Sequence, residues 1–140
     1  MYDQILLPMD GSPLAEQAIA QAVIYADHFK AELILVKVLE PLAKSINLPQ
    51  RAARQAEEET RELAHEYLER LAAGIRDKGV SVRVVTLAGS PHVEIAKFVE
   101  IEKIGLVVIS TRGKSRLSRW LIGSVAARVV RSVNVPVLLI

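Results

Sequence analysis

Apolar segments of strand length alternate with helical segments along the whole of this chain. The clearest is the unbroken run Leu106–Ile109, which is typical of a strand buried on both faces of a parallel sheet. Consecutive parallel strands need a crossover connection, and the intervening helices supply it while covering the faces of the sheet. The alternation therefore predicts an α/β domain with a doubly wound, five-stranded parallel sheet.

Turn and capping residues divide the chain into nine predicted elements. Pro13 and Pro91 suit the first position of a helix, where a missing N–H does no harm, and Ser12 and Ser90 are the predicted N-caps rather than nucleophiles. The predicted strands are Tyr2–Met9, Leu33–Leu39, Val80–Ala88, a run that ends at Ser110, and Val135–Ile140; the predicted helices are Pro13–Phe29, Arg51–Lys78, Pro91–Lys103 and Leu121–Ser132.

Composition excludes several classes of protein. The 140 residues suit a single domain over residues 1–140. Without cysteine there is no disulfide, thiol nucleophile or cysteine metal site, which fits a cytoplasmic protein, and the three histidines lack metal-ligand spacing. A net charge of +2 is too small to indicate nucleic-acid binding. Neither a secretory signal nor a run of about 18 apolar residues occurs, so no membrane association is expected.

The segment after the fourth strand has the features of a phosphate-binding loop. Gly113 allows the backbone to approach a ligand closely, and Gly123-Ser124 opens a helix whose N–H groups favour an anion. Four cations and no acid lie between positions 110 and 124. An ordinary solvated surface loop explains the same charges, so both interpretations stay open. The four cations are Arg112, Lys114, Arg116 and Arg119.

Asp10 is the second candidate ligand residue. In doubly wound sheets, ligands bind beyond the carboxyl ends of strands where the winding reverses, which for five strands in the flavodoxin-like order is beside the first strand. Because Asp10 and Ser110 end the first and fourth strands, they are expected to face one crevice. An aspartate before a helix also serves a turn and the helix dipole without any ligand, and this alternative stays open.

Taken together, the motifs resemble those of a known family. They lie after the first strand, before the third helix, after the fourth strand and at the close of the chain, and essentially all 140 residues are covered. On this basis the chain resembles the universal stress proteins of the UspA type. The resemblance implies an adenine nucleotide alpha hydrolase-like fold with strand order 3-2-1-4-5. The motifs are Asp10-Gly11-Ser12, Gly89-Ser90-Pro91, Arg112-Gly113 with Gly123-Ser124, and Asn134-Val135-Pro136-Val137-Leu138.

ATP-binding members of that family carry a glycine, two residues, a second glycine, nine residues, and a glycine followed by serine or threonine. Gly113 and Gly123-Ser124 match this spacing, but Ser110 occupies the first glycine position. If that position needs a positive φ, serine costs about 1 kcal/mol or more. If φ is negative, the serine hydroxyl can donate to a phosphate oxygen instead.

The resemblance also implies a site and a cofactor. ATP is the implied ligand. The resemblance implies that Val38 offers backbone atoms to the adenine and that Asp10 approaches the nucleoside end of the ATP molecule. Asp10 is a candidate for Mg²⁺ as well, although a single carboxylate is a weak argument for a metal. No catalytic residue and no protein-held metal is expected. The implied binding residues are Met9, Asp10, Val38, Ser110, Arg112, Gly113, Gly123, Ser124 and Val125.

Three functions are consistent with this sequence. The first is a nucleotide-binding stress-response protein that senses or stores ATP and signals through a protein partner. The second is an interaction module that works without nucleotide, which Ser110 in a glycine position favours. The third is slow ATP hydrolysis by a positioned water, although the chain lacks the glycine-lysine-serine/threonine ending of a P-loop.

The end of the chain predicts self-association. Apolar residues dominate Val133–Ile140, and an unpaired edge strand of this composition promotes aggregation. Pairing with a second copy covers the edge, and the resemblance implies the same homodimer through the last strands. Trp120, beside Arg119, is interpreted either as a base-stacking platform or as a core or lid contact.

Overall fold

The structure is a computed structural model that describes residues 1–41, 48–111 and 122–140. Strands and helices alternate throughout these ranges, as the apolar pattern predicts. In chain order the elements are β1 (Gln4–Pro8), α1 (Pro13–Phe29), β2 (Glu32–Leu39), α2 (Gln50–Arg76), β3 (Val82–Ala88), α3 (Pro91–Ile101), β4 (Leu106–Ile109), α4 (Ser124–Ser132) and β5 (Val137–Leu139).

The five strands form one parallel sheet in the order β3-β2-β1-β4-β5, which confirms the predicted fold class. Ile5 of β1 pairs with Leu33 of β2 on one side and with Leu106 of β4 on the other. The winding reverses at β1, because the chain moves outward to β3 before it returns to β4. The carboxyl ends of β1, β2 and β4 therefore meet at one edge, where this kind of sheet binds ligands.

Two apolar clusters, one on each face of the sheet, hold the helices in place. Alternate residues of a strand point to opposite faces, so Leu35 packs toward α1 and α2 while Ile34 packs toward α3 and α4. Both side chains are fully buried. Burial of a leucine or isoleucine side chain contributes about 1.5–3 kcal/mol. The sheet is consequently a rigid support for the loops at its carboxyl edge.

The two predicted N-caps have different outcomes. The Ser12 hydroxyl accepts a hydrogen bond of 3.1 Å from the Ala15 N–H, which confirms the predicted cap of α1. Ser90 also occupies an N-cap position, but its side chain makes no capping bond, so the predicted role of that hydroxyl is wrong. Its Oγ lies 3.4 Å from Nδ1 of His92. A local histidine contact has replaced the backbone contact.

Several element boundaries differ from the prediction. Helix α3 ends at Ile101 rather than Lys103, and β5 is confined to Val137–Leu139. Helix α4 starts at Ser124 with Gly123 at its N-cap; the predicted start, Leu121, lies outside the described residues. The same is true of Arg112, Gly113, Trp120 and the other predicted loop cations, Lys114, Arg116 and Arg119.

No helix in the described ranges is both long enough and apolar enough to cross a membrane.

Candidate functional site

A cleft of about 650 Å³ opens at the carboxyl edge of the sheet. The ends of β1, β2 and β4 form its floor, and the first turn of α4 forms one wall. Seven of the nine predicted site residues line it, whereas Arg112 and Gly113 lie outside the described residues. Their convergence is a property of the fold, because they come from four segments separated in sequence. The seven are Met9, Asp10, Val38, Ser110, Gly123, Ser124 and Val125.

The β1–α1 loop places Asp10 in the middle of the cleft. The Asp10 Oδ1 accepts a hydrogen bond of 2.9 Å from the Ser12 N–H, and Gly11 between them has a φ of +85°. A side chain at Gly11 would be strained, since residues other than glycine rarely adopt that conformation. The turn role of Asp10 is therefore present in the structure. It also gives the carboxylate a fixed orientation within the cleft.

The opposite side of the cleft is supported by the end of the chain. The backbone N–H and the hydroxyl of Thr111 both donate to the Ile140 carbonyl, at 2.8 and 2.9 Å. The Thr111 carbonyl in turn accepts from the Gly123 N–H. Ile140, just beyond β5, thus holds Thr111, and Thr111 in turn holds the start of α4.

Serine at position 110 is compatible with its backbone. Among the described residues, the positive φ angles outside glycine occur at Lys30 and Lys103, so Ser110 lies in an ordinary region. Of the two sequence-based alternatives, the strained one does not apply. The hydroxyl group lines the cleft without a backbone cost.

The first turn of α4 has the character of an anion site. Gly123 occupies the N-cap position with a φ of −58°, and no side chain caps the helix. The first turn of a helix carries N–H groups without an intrahelical partner and the positive end of the dipole. Ser124 and Val125 of that turn line the cleft, so the local field there favours a negatively charged group.

Sequence reasoning missed several residues that line the cleft. The most informative is Lys37, which interrupts the apolar run from Leu33 to Leu39 one position before Val38. A cation in a strand of this kind is the signal that would have identified it, because lysine is rare in strands that are otherwise buried. The other described residues that prediction missed include Glu40, Thr60, Pro91 and Thr111.

Lys37 belongs to a polar cluster that joins three elements. Its Nζ lies 5.1 Å from the centre of the Tyr67 ring, within the range of a cation–π contact. The Tyr67 hydroxyl donates a 2.8 Å hydrogen bond to Oε1 of Glu16. Strand β2, helix α2 and helix α1 are thereby connected beside the cleft.

This cluster raises the pKa of Tyr67 well above its ordinary value of 10.0. Burial is the largest cause, followed by the hydrogen bond to Glu16 and the negative charges of Glu16 and Asp10; Arg70 acts weakly in the opposite direction. The neutral phenol is therefore the form that the folded state stabilises.

The free energy of unfolding is accordingly expected to fall above about pH 10. Tyr67 ionises there in the unfolded chain, which lowers the free energy of the unfolded state, whereas it stays protonated in the folded chain. In Tyr67→Phe, the slope of unfolding free energy against pH should be shallower by up to about 1.4 kcal/mol per pH unit. Urea unfolding between about pH 8 and 11 measures this slope. Tyr25→Phe removes the same atom from α1 and is the matched control. Equal slopes in the Tyr67→Phe variant and the wild-type protein would contradict the assignment.

Within the described ranges, no three histidine, cysteine, aspartate or glutamate side chains are grouped to hold a metal ion. Asp10 is the carboxylate at the centre of the cleft, and its Oδ1 is already engaged with the backbone.

Known proteins are similar to this chain in sequence and in fold. A universal stress protein MJ0531 from Methanocaldococcus jannaschii is 33% identical over 141 residues, covering 100% of this chain and 82% of that protein. The structure of UspA from Lactobacillus plantarum superposes with a TM-score of 0.88 at 21% identity, covering 99% of this chain and 97% of the other. The universal stress protein from Archaeoglobus fulgidus, solved in complex with dAMP, has a TM-score of 0.74 at 23% identity, covering 99% and 97%.

A family model provides the assignment itself. The model described as the universal stress protein family matches residues 1–140. The match includes the β1–α1 loop, Ser110 and Thr111 after β4, and the start of α4, which all line the cleft. The chain therefore belongs to the universal stress protein family.

Proposed function

We propose that this protein binds an adenine nucleotide, specifically ATP, in the cleft, and that occupancy serves a stress-response signalling role. The observation that carries the proposal is the convergence of seven predicted residues on one cleft at the reversal point of the sheet. A cleft of about 650 Å³ falls within the usual size range of small-molecule sites.

The phosphate groups are assigned to the side formed by β4 and α4. The first turn of α4 supplies N–H groups and a favourable dipole, and the hydroxyls of Ser110 and Ser124 add donors. Arg112 and Gly113, which follow Ser110 directly in sequence, are proposed to complete this end.

The nucleoside is assigned to the side formed by β1 and β2. Val36, Val38 and Ile95, on the α3–α4 face, provide an apolar surface there that suits a planar base, and Met9 at the end of β1 lines the same cleft. The backbone of Val38 is proposed to meet the edge of adenine. Asp10, between the two sides, lies within reach of the sugar.

The A. fulgidus protein solved with dAMP supports an adenine nucleotide as the ligand class. That the nucleotide is ATP, and that Mg²⁺ accompanies it, are the more specific parts of the proposal. Because Mg²⁺ is usually held by one or two carboxylates together with substrate phosphates, Asp10 is its candidate protein ligand. We assign binding rather than turnover, since the sequence lacks the P-loop ending and offers no identified base to activate water.

Titration of ATP with Mg²⁺ into nucleotide-stripped protein, followed by calorimetry, tests the proposal. Micromolar affinity is expected, with adenine absorbance in whatever the untreated protein releases on heating. GTP is the control ligand of equal charge. Absence of heat and of released nucleotide would favour an interaction module that works without nucleotide. A burst of ADP would favour hydrolysis instead.

The proposed setting is a cytoplasmic homodimer that signals to a protein partner. The support for dimerisation is the position of β5 at the edge of the sheet, where it pairs with β4 on one side. Val133, Val135 and Val137 extend the apolar cluster of the α3–α4 face toward this edge. A second copy would pair with the open side of β5.

A further inference from the structure

Lys37 holds a distinctive position in the cleft. Among the described residues that line the cleft, it is the only one with a cationic side chain. Its Nζ lies beside the β1–α1 loop, at 3.4 Å from where a Cβ on Gly11 would be. Asp10 is the preceding residue in that loop. The ammonium group and the Asp10 carboxylate are therefore carried by neighbouring segments of the cleft floor.

The sheet order shows which part of a nucleotide Lys37 would meet. Strand β1 lies between β2 and β4, so Lys37 on β2 is on the far side of Asp10 from the start of α4. The proposed phosphate position is at α4. Lys37 is consequently on the nucleoside side of Asp10 along the sheet and is badly placed to neutralise the polyphosphate. Its side chain lies with Tyr67 on the α1–α2 face, opposite the Val36 and Val38 side chains, so the part of a nucleotide within its reach is the part beside Asp10.

The Lys37 side chain is also held in place. The Tyr67 ring lies under the ammonium group, and the hydrogen bond to Glu16 anchors Tyr67 from α1. An ammonium group attracted to a fixed aromatic face loses less conformational freedom when it contacts a ligand. The donor is thus oriented before any ligand arrives.

The charges and hydrogen-bonding capacities of Asp10 and Lys37 limit which chemical group of a ligand can contact both residues. A carboxylate only accepts hydrogen bonds and an ammonium only donates them. A second phosphate would meet the negative charges of Asp10 and Glu40, which both line the cleft. Two neighbouring hydroxyls fit both partners, because a hydroxyl can donate to Asp10 and accept from Lys37.

We propose that Lys37, together with Asp10, recognises the ribose cis-diol and makes the cleft selective for ribonucleotides over deoxyribonucleotides. This inference rests on the proposed nucleotide-binding function. Loss of one hydroxyl removes one hydrogen bond between the ligand and a charged group, and such bonds correspond to about tenfold to a hundredfold in affinity. Lys37 is a specificity-determining residue in this arrangement.

Calorimetric titration with ATP, 2′-deoxy-ATP and 3′-deoxy-ATP tests the inference. The wild-type protein is expected to bind ATP about tenfold or more tightly than at least one deoxy analogue. In Lys37→Met, which keeps an unbranched stem, this ratio should fall toward one, and Lys37→Arg should recover part of it. Lys30→Met, at the opposite end of the sheet, is the control that should retain the wild-type ratio.

The outcomes separate the two proposals. Equal affinities of the wild-type protein for all three nucleotides, or an unchanged ratio in Lys37→Met, would overturn the selectivity inference while nucleotide binding stands. If Lys37→Met loses affinity equally for all three nucleotides, Lys37 acts only on the shape or charge of the cleft. That result also overturns the selectivity inference. If no nucleotide binds the wild-type protein, the proposed function fails, and the inference fails with it.

Discussion

Replacement of Gly123 with valine is expected to reduce the affinity for ATP by about a hundredfold while the protein remains folded. Gly123 lines the cleft at the N-cap of α4, with φ of −58° and ψ of 153°. Valine adopts these angles readily, so the substitution adds side-chain atoms without backbone strain. Overpacking of a close-fitting site costs about 1–3 kcal/mol, which corresponds to roughly fivefold to 150-fold in binding.

Calorimetry with ATP measures the loss, and thermal unfolding shows that the fold is retained. Gly74→Val is the matched control, because Gly74 lies near the end of α2 with open space around its Cβ position. This variant should bind ATP like the wild-type protein. Wild-type affinity in Gly123→Val would place the nucleotide away from the start of α4 and would remove the main support for the phosphate assignment.

Deletion of Val135–Ile140 is expected to convert a dimer into monomer or insoluble protein. The deletion removes β5, the proposed pairing strand, and uncovers β4, whose Val107 and Val108 are fully buried. It also removes the Ile140 carbonyl that accepts from Thr111 at the side of the cleft. An unchanged dimer in light scattering would show that β5 is not the interface.

Leu139→Pro separates loss of pairing from loss of folding. Pro136 and Ile140 make the backbone bonds to β4, so by alternation the polar groups of Val137 and Leu139 face the open edge. Proline at 139 removes the outward N–H and is tolerated on edge strands. A soluble monomer that unfolds cooperatively is expected. Leu138→Val, a conservative change on the same strand, is the control that should remain dimeric.

Much of the fold was predictable because the determining signals are local. Apolar runs and helical periodicity distinguish strands from helices within a few residues, and Pro13 after Ser12 marks the start of α1. The reversal of the sheet at β1 followed from the parallel topology and the resemblance together. Asp10 and Ser110 were placed at the same edge by that topology, and both line the cleft.

The interactions beside the cleft were not predictable in the same way. The bond between Tyr67 and Glu16 joins residues 51 positions apart. Lys37 meets the Tyr67 ring only because β2 and α2 pack together on one face of the sheet. At Ser90 the hydroxyl was expected to cap α3, but the alternative partner, His92, is equally close in sequence, and local pattern does not distinguish the two.

For this protein, the sequence by itself determined the type and order of the elements, the family and the main candidate residues of the cleft. Periodicity, turn residues and motif spacing are local properties that a linear chain displays directly. Only the tertiary structure decided that Ser110 lies in an unstrained backbone region, that Ile140 supports Thr111, and that Lys37 stands beside Gly11. These features depend on backbone angles and on contacts between distant segments, which form only when the sheet and its helices pack.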